Sequence, residues 1–123
     1  MPDKPELIYV AGPYSADTEE GIAANISAAC AIAQRLALLG KHAICPYLNT
    51  GGFHTLPIPY EYWMELDANI LDRCDALLLM SNWLTSYGTK RELARASWQG
   101  KTVYSEADLE RWEAEAKAGK EPE

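Results

Sequence analysis

Residues 74–100, which read CDALLLMSNWLTSYGTKRELARASWQG, decide the predicted fold. Within them, the apolar run Ala76–Met80 has no polar alternation, which is typical of a parallel strand covered on both faces. Ser81–Gly88 is a loop of turn-forming residues, and Thr89 is expected to start a helix that ends before Gly100. In an open parallel sheet, ligands bind beyond the carboxyl ends of the strands. This loop and helix start therefore form the first candidate for a ligand site.

Glu92 has two interpretations at this point. With Thr89 as N-cap, Glu92 completes a capping box, and local sequence alone favours that role. However, Ser86, Gly88 and Glu92 also fall where a parallel sheet would hold a small anionic ligand. The rest of the chain has to decide between a structural and a chemical role.

Length and charge limit the possible functions. The chain has 123 residues and a net charge of −7, which predicts a single domain over residues 1–118 and a frayed acidic tail over 119–123. The acidic balance argues against a nucleic-acid polymer as partner but not against a mononucleotide. We find no basic patch for a membrane surface, no apolar run approaching membrane-spanning length and no signal-peptide core, so a cytoplasmic location is expected.

The cysteines and histidines predict no metal site and no cofactor. Cys30, Cys45 and Cys74 are widely spaced and lie in or beside apolar segments, so we expect small buried side chains in a reducing compartment. His42 and His54 do not have the spacing of metal ligands.

Six further elements complete a strand–helix alternation around the opening segment. Their predicted bounds are a first strand at Leu7–Ala11, a helix capped by Asp17 and running to about Leu39, a second strand at His42–Cys45, a helix at Glu61–Arg73, a fourth strand at Lys101–Tyr104, and a last helix capped by Ser105. Two apolar stripes are expected to be buried, one at Ile22, Ile26, Cys30, Ala33 and Leu36, the other at Tyr62, Leu66 and Ile70.

This alternation predicts an α/β fold, a doubly wound, flavodoxin- or Rossmann-like three-layer sandwich. Right-handed crossovers would give a mainly parallel sheet of four to five strands with helices on both faces. The first and third strands are the most apolar, so we expect them to form the central pair, in the order 2-1-3-4. The turn Gly12–Ser15 and the Ser86 loop then meet at one crevice, where Gly12, Pro13 and Ser15 are candidate substrate-binding residues. The loop at Tyr47–Tyr60 is long for so small a domain, which favours either a functional loop or an ordered surface loop with aromatic anchors.

Four segments of the chain resemble the nucleoside 2-deoxyribosyltransferase superfamily, which includes deoxynucleoside monophosphate N-glycosidases. The match looks closest to a phage-associated branch of that superfamily. The segments are Ile8–Pro13 (an opening strand and glycine turn), Asp67-Ala68-Asn69 (an Asp-x-Asn helix motif), Cys74-Asp75-Ala76 (an acidic turn entering a strand), and Ser86-x-Gly88-x-x-x-Glu92-Leu93-x-x-Ala96 (a nucleophile helix).

The resemblance implies roles for individual residues. Glu92 matches the nucleophilic glutamate, Asp67 the carboxylate that assists the leaving base, and Tyr9 the tyrosine that orients the nucleophile. Ser86 matches a phosphate-binding serine of the monophosphate hydrolases, although an ordinary turn serine is an equal alternative. Gly12, Pro13, Ser15, Asn69, Ser86 and Gly88 are the substrate-binding candidates.

The predicted function is cleavage or transfer at the N-glycosidic bond of a (deoxy)nucleoside or nucleoside monophosphate. The alternative is a non-catalytic nucleotide-binding or sensing module on the same fold. A third possibility is an interaction protein that uses Trp63, Trp83 or Trp98 in a dimer face. The resemblance favours a homodimer or higher homo-oligomer. The first loop, Pro13–Asp17, has no arginine where the monophosphate hydrolases have a basic loop, so phosphate recognition stays open.

Overall fold

A computed structural model describes residues 4–46 and 56–119. Its strands are β1 (Leu7–Ala11), β2 (His42–Ile44), β3 (Ala76–Leu79) and β4 (Thr102–Ser105). Its helices are α1 (Glu19–Leu38), α2 (Tyr60–Asp72), α3 (Tyr87–Trp98) and α4 (Glu106–Lys117), and a 3₁₀ turn at Trp83–Thr85 precedes α3. Most of the long loop predicted at residues 47–60 lies outside the described residues.

The described strands form one parallel sheet in the order β2-β1-β3-β4. Tyr9 of the central strand β1 pairs with Ile44 on one side and with Leu77 on the other. Every residue of β3 is buried, because helices cover both faces of the sheet. The predicted α/β class, the parallel pairing and the strand order are confirmed.

Two apolar clusters lie on opposite faces of the sheet. On one face, Val10 and Leu78 pack with Leu36 of α1 and Leu109 of α4. On the other face, Tyr9, Ala11, Leu77 and Leu79 pack with Leu71 of α2 and Ala96 of α3. Burying each leucine side chain stabilises the fold by about 1.5–3 kcal/mol. Because side chains alternate between the two faces along a strand, the side chain of Tyr9 lies on the face covered by α2 and α3.

Helix α1 begins one residue later than predicted. Its N-cap is Thr18, not Asp17, since the Thr18 side chain accepts a 3.0 Å hydrogen bond from the Gly21 amide. The buried stripe also shifts slightly. Ala29, Ile32 and Leu36 are buried, whereas Cys30 and Ala33 are only partly covered. Steps of three and four residues still connect the buried positions, as an amphipathic helix requires.

Helix α1 is more apolar than expected from the sequence. An 18-residue window of this 20-residue helix has a mean hydropathy of 1.3, enough by length and composition to cross a membrane. The expectation that no apolar run approaches such a length is therefore wrong. In this fold α1 packs on β1 and β2, and its Arg35 makes two hydrogen bonds of 2.8 and 2.6 Å to Glu113 of α4. The cytoplasmic location stays a prediction.

The start of α4 agrees with the sequence. Ser105 and Asp108 form a capping box there, as predicted for Ser105.

The burial of side chains agrees with the sequence in part. Helix α2 does not bury the predicted stripe, because Tyr62 is 49% exposed and only Leu71 is fully covered. Cys45 and Cys74 are buried as expected, while Cys30 is half-buried.

Candidate active site

A cavity of about 530 Å³ opens beyond the carboxyl ends of β1 and β3. This volume is in the range that holds small-molecule ligands. Three segments supply its walls, namely the turn after β1, the helix α2, and the loop leading into α3. The lining residues are Pro13, Tyr14, Ser15, Ile58, Tyr60, Trp63, Met64, Asp67, Thr85, Ser86, Tyr87, Gly88 and Glu92.

Glu92 does not cap its helix. Helix α3 starts at Tyr87 with Ser86 as N-cap, and the Ser86 hydroxyl accepts a 3.1 Å hydrogen bond from the Thr89 amide. The Thr89 hydroxyl lies 2.9 Å from the same oxygen, and Thr89 is buried. Both residues are good N-cap types, but the extended backbone that follows the 3₁₀ turn selects Ser86. Glu92 therefore lies one turn deeper in α3, and the capping-box interpretation is wrong.

The carboxylate of Glu92 is held by Tyr9. The phenolic hydroxyl of Tyr9 donates a hydrogen bond to Oε2 of Glu92. Tyr9 is 1% exposed and Glu92 is 9% exposed, so water is largely excluded from this pair. The contact joins the central strand β1 to helix α3 and fixes the orientation of a carboxylate that lines the cavity. The structure thus brings together two of the three predicted catalytic residues by direct contact.

Asp67 completes a pair of acidic groups in the cavity. It lies on α2 and lines the same cavity as Glu92. Burial raises the pKa of Asp67 to about 6. Burial also raises the pKa of Glu92 to about 7, the hydrogen bond from Tyr9 opposes that rise, and the charge of Asp67 adds to it. Two carboxyls with pKa values raised towards neutrality can divide acid and nucleophile roles.

The Tyr9 hydrogen bond affects the ionisation of Glu92. A hydroxyl donor stabilises the ionised form of its carboxylate acceptor. Tyr9 therefore lowers the pKa of Glu92, although burial still keeps it at about 7, above the pKa of Asp67 at about 6. An ionised Glu92 has the charge state of a nucleophile, and a protonated Asp67 has that of a general acid.

Most of the predicted substrate-binding residues lie at the cavity wall. Pro13, Ser15, Ser86 and Gly88 all line it. Gly12 does not, but a Cβ atom at Gly12 would come within 2.4 Å of the Met80 sulfur. The glycine therefore allows the turn after β1 to pack against the end of β3.

Asn69 lies away from the cavity. It is exposed, and its Oδ1 accepts a 2.5 Å hydrogen bond from Nη1 of Arg73. It lies two positions after Asp67 along α2, and this spacing turns the two side chains in different directions. The structure therefore does not bring Asn69 together with the other candidates.

Sequence analysis missed an aromatic wall of the cavity. Tyr60, Trp63 and Met64 precede Asp67 at helical steps of three and four residues, so all of them share one face of α2. This spacing is the signal that could have identified them. The structure also adds Tyr14, Ile58, Thr85 and Tyr87 to the cavity wall. They lie in loops, in the 3₁₀ turn or at the first position of α3, and such positions give no periodic signal.

The part of the chain that the structure describes contains no group of three or more His, Cys, Asp or Glu side chains able to hold a metal ion. The polar groups that line the cavity are carboxyls and hydroxyls, together with a tryptophan N–H. They suit a polar organic ligand with a flat apolar part.

Comparison with known proteins gives one family. A search of curated proteins finds no match. The family model described as "Domain of unknown function (DUF4406)" matches residues 6–105, which include all four strands and every residue that lines the cavity. That description specifies no activity, so the resemblance to the nucleoside 2-deoxyribosyltransferases stays a prediction. Because the match spans most of the sequence, the chain belongs to the DUF4406 family.

Proposed function

We propose that this protein cleaves the N-glycosidic bond of a nucleoside, or transfers the sugar to another base, with Glu92 as nucleophile. One observation carries the proposal. Glu92 is a buried carboxylate, held by the Tyr9 hydroxyl and placed in the same cavity as a second acidic residue, Asp67. The resemblance to the deoxyribosyltransferase superfamily implies catalytic roles for these same residues.

The chemistry requires two acidic groups with different tasks. Cleavage of an N-glycosidic bond develops positive charge on the sugar, and a carboxylate beside C1′ can stabilise or trap it. In the proposed first step, Oε1 or Oε2 of Glu92 forms a bond to C1′ while the bond from C1′ to the base nitrogen breaks. The base leaves with a proton from Asp67. In the second step, water or another base attacks C1′, gives up a proton to the Asp67 carboxylate and releases Glu92.

The cavity wall fits the other part of such a substrate. Tyr60, Trp63 and Tyr87 present aromatic rings to the cavity. Aromatic side chains stack on nucleobases with a gain of about 1–3 kcal/mol per base. Ser15 and Thr85 offer hydroxyl groups that can hydrogen-bond to the sugar or to the base.

The alternative is a module that binds a nucleotide without reacting with it. Two buried acids with raised pKa values cost folding free energy at neutral pH, since their ionised forms are poorly solvated. Such a cost is common at catalytic sites, where it supplies groups able to exchange protons near neutrality. This argument favours catalysis over binding alone.

The test is chromatography of free bases released from each deoxynucleoside and each deoxynucleoside monophosphate, with and without an added acceptor base. Release by the wild-type protein that is abolished in Glu92→Ala supports the proposal. Glu65→Gln is a matched control, because Glu65 is an exposed glutamate of α2 that does not line the cavity. Release that survives Glu92→Ala would refute the assignment of the nucleophile. Binding without release across the panel would favour the non-catalytic module.

A further inference from the structure

The charges around the cavity bear on which substrate it accepts. Among the described lining residues, Asp67 and Glu92 are acidic and none is lysine or arginine. The turn after β1 continues into Ala16 and Asp17, which adds no positive charge. The part of the chain between the described ranges, residues 47–55, also contains no lysine or arginine in its sequence, and His54 is its one basic residue.

Among the described segments that line the cavity, the N-terminus of α3 is the one positive feature. A helix N-terminus carries about half a positive charge, which attracts anions. Ser86 already satisfies the Thr89 amide in the first turn of α3. Glu92 and Asp67 together carry about one negative charge when they share a proton, and about two when both ionise. The carboxyls therefore outweigh the helix terminus in their effect on an anionic ligand.

A phosphate group would add to this negative charge. A phosphate monoester carries about −1.5 to −2 charges at neutral pH. Bringing it into a cavity with ionised carboxyls and without a lining cation is unfavourable, because like charges repel strongly where water is partly excluded. An uncharged sugar has hydroxyl groups that the lining serines and threonine can satisfy without this repulsion.

We propose that the cavity selects an uncharged nucleoside over the corresponding 5′-monophosphate. This inference rests on the proposed function, which identifies the ligand as a nucleoside. It adds that the preferred substrate carries no phosphate charge.

Binding measurements test the inference separately from catalysis. Titration calorimetry on Glu92→Gln would compare each of the four deoxynucleosides with its own 5′-monophosphate. The variant blocks turnover and removes one negative charge, so it biases the comparison towards the monophosphate. We expect the nucleoside to bind roughly ten- to a hundredfold more tightly, the range produced by one or two like-charge contacts near a protein surface.

Two results would overturn the inference. One is a monophosphate that binds as tightly as its nucleoside or more tightly. The other is a complete lack of nucleoside binding. Base release by the wild-type protein, measured in parallel, tests the proposed function, so nucleoside binding without release would retain the selectivity and remove the catalytic role.

Arg91 provides a second arm of the test. Its guanidinium lies 5.9 Å from the ring centre of Tyr87, which lines the cavity. If Arg91 reached out to hold a phosphate, Arg91→Gln would weaken monophosphate binding and leave nucleoside binding unchanged, which would contradict the inference. We expect equal nucleoside affinity in wild type and Arg91→Gln, and weak monophosphate binding in both.

Discussion

The hydroxyl of Tyr9 donates a hydrogen bond to the carboxylate of Glu92, across 83 positions of sequence. The donor lies on the central strand of the sheet and the acceptor on a helix packed against it. Burial of both side chains makes the bond sensitive to single-atom changes. It is therefore the contact on which the behaviour of the site most depends.

Replacing Tyr9 by Phe removes the donor and keeps the ring. The pKa of Glu92 should rise, because the Tyr9 hydrogen bond lowers it. Hydrogen bonds to charged groups are worth about 1.5–3 kcal/mol, so base release should fall roughly ten- to a hundredfold at neutral pH. The acidic limb of the pH–rate profile should move to higher pH. Tyr104→Phe is the matched control, since that hydroxyl bonds to Glu6 away from the cavity. An unchanged acidic limb in Tyr9→Phe would contradict the assigned role.

Replacing Asp67 by Asn should move the acidic limb of the pH–rate profile to lower pH. The negative charge of Asp67 raises the pKa of Glu92, so its removal lowers that pKa. Maximal release should also fall, because the leaving base loses its proton donor, typically by a factor of about 10²–10⁴. Measurement of kcat against pH separates the two effects. Full activity in Asp67→Asn would show that the base departs without help from this residue.

Glu92→Gln should make the protein more stable at alkaline pH. Burial raises the pKa of Glu92 from 4.5 to about 7 in the folded state. The folded state therefore binds more protons than the unfolded state between these values, and wild-type stability falls as the pH rises through that window. The amide cannot ionise and avoids this loss, which is about 2–3 kcal/mol above pH 8.

Urea denaturation at pH 5 and pH 8 measures this effect. The free energies of unfolding of wild type and Glu92→Gln should be similar at pH 5 and should separate at pH 8. Glu65→Gln, an exposed substitution on α2, should show no such separation. Equal stability of wild type and Glu92→Gln at both pH values would refute the raised pKa.

Gly12→Ala should destabilise the turn after β1. Its new methyl group would lie 2.4 Å from the Met80 sulfur, so Met80 must move. Overpacking of this kind costs about 1–3 kcal/mol. Thermal unfolding would detect the loss, and Gly12→Ala should cost less in a Met80→Ala background than in the wild type, because the clash with the Met80 sulfur is then absent. At Gly88 a methyl group would have no neighbour closer than 4.0 Å, which makes Gly88→Ala the stability control.

The sheet was predictable because its central strands are uniformly apolar. Leu7–Ala11 and Ala76–Leu79 contain no polar alternation apart from the hydroxyl of Tyr9, and both proved to be buried between helices. The strand order followed because the two most apolar strands were expected to form the central pair, and right-handed crossovers then place helices on both faces of the sheet. Apolar runs and the alternation of strands with helices can be read directly from a single sequence.

The start of α3 and the direction of α2 were not predictable in the same way. Ser86 and Thr89 are both suitable N-caps, and only the preceding 3₁₀ turn chooses between them. Helix α2 carries one apolar stripe through Leu66 and Ile70 and another through Trp63 and Met64. Helical periodicity finds both stripes but does not tell which one faces the sheet and which one faces a cavity.

The strand that carries Tyr9 also links the site to the folding reaction. Tyr9 reaches Glu92 only after β1 has paired with β3, an association of segments far apart in the chain. Contacts between distant segments form slowly, because the intervening chain must lose conformational entropy first. During refolding, a properly oriented Glu92 should therefore appear no earlier than the central sheet, and partly folded chains should not carry a competent site.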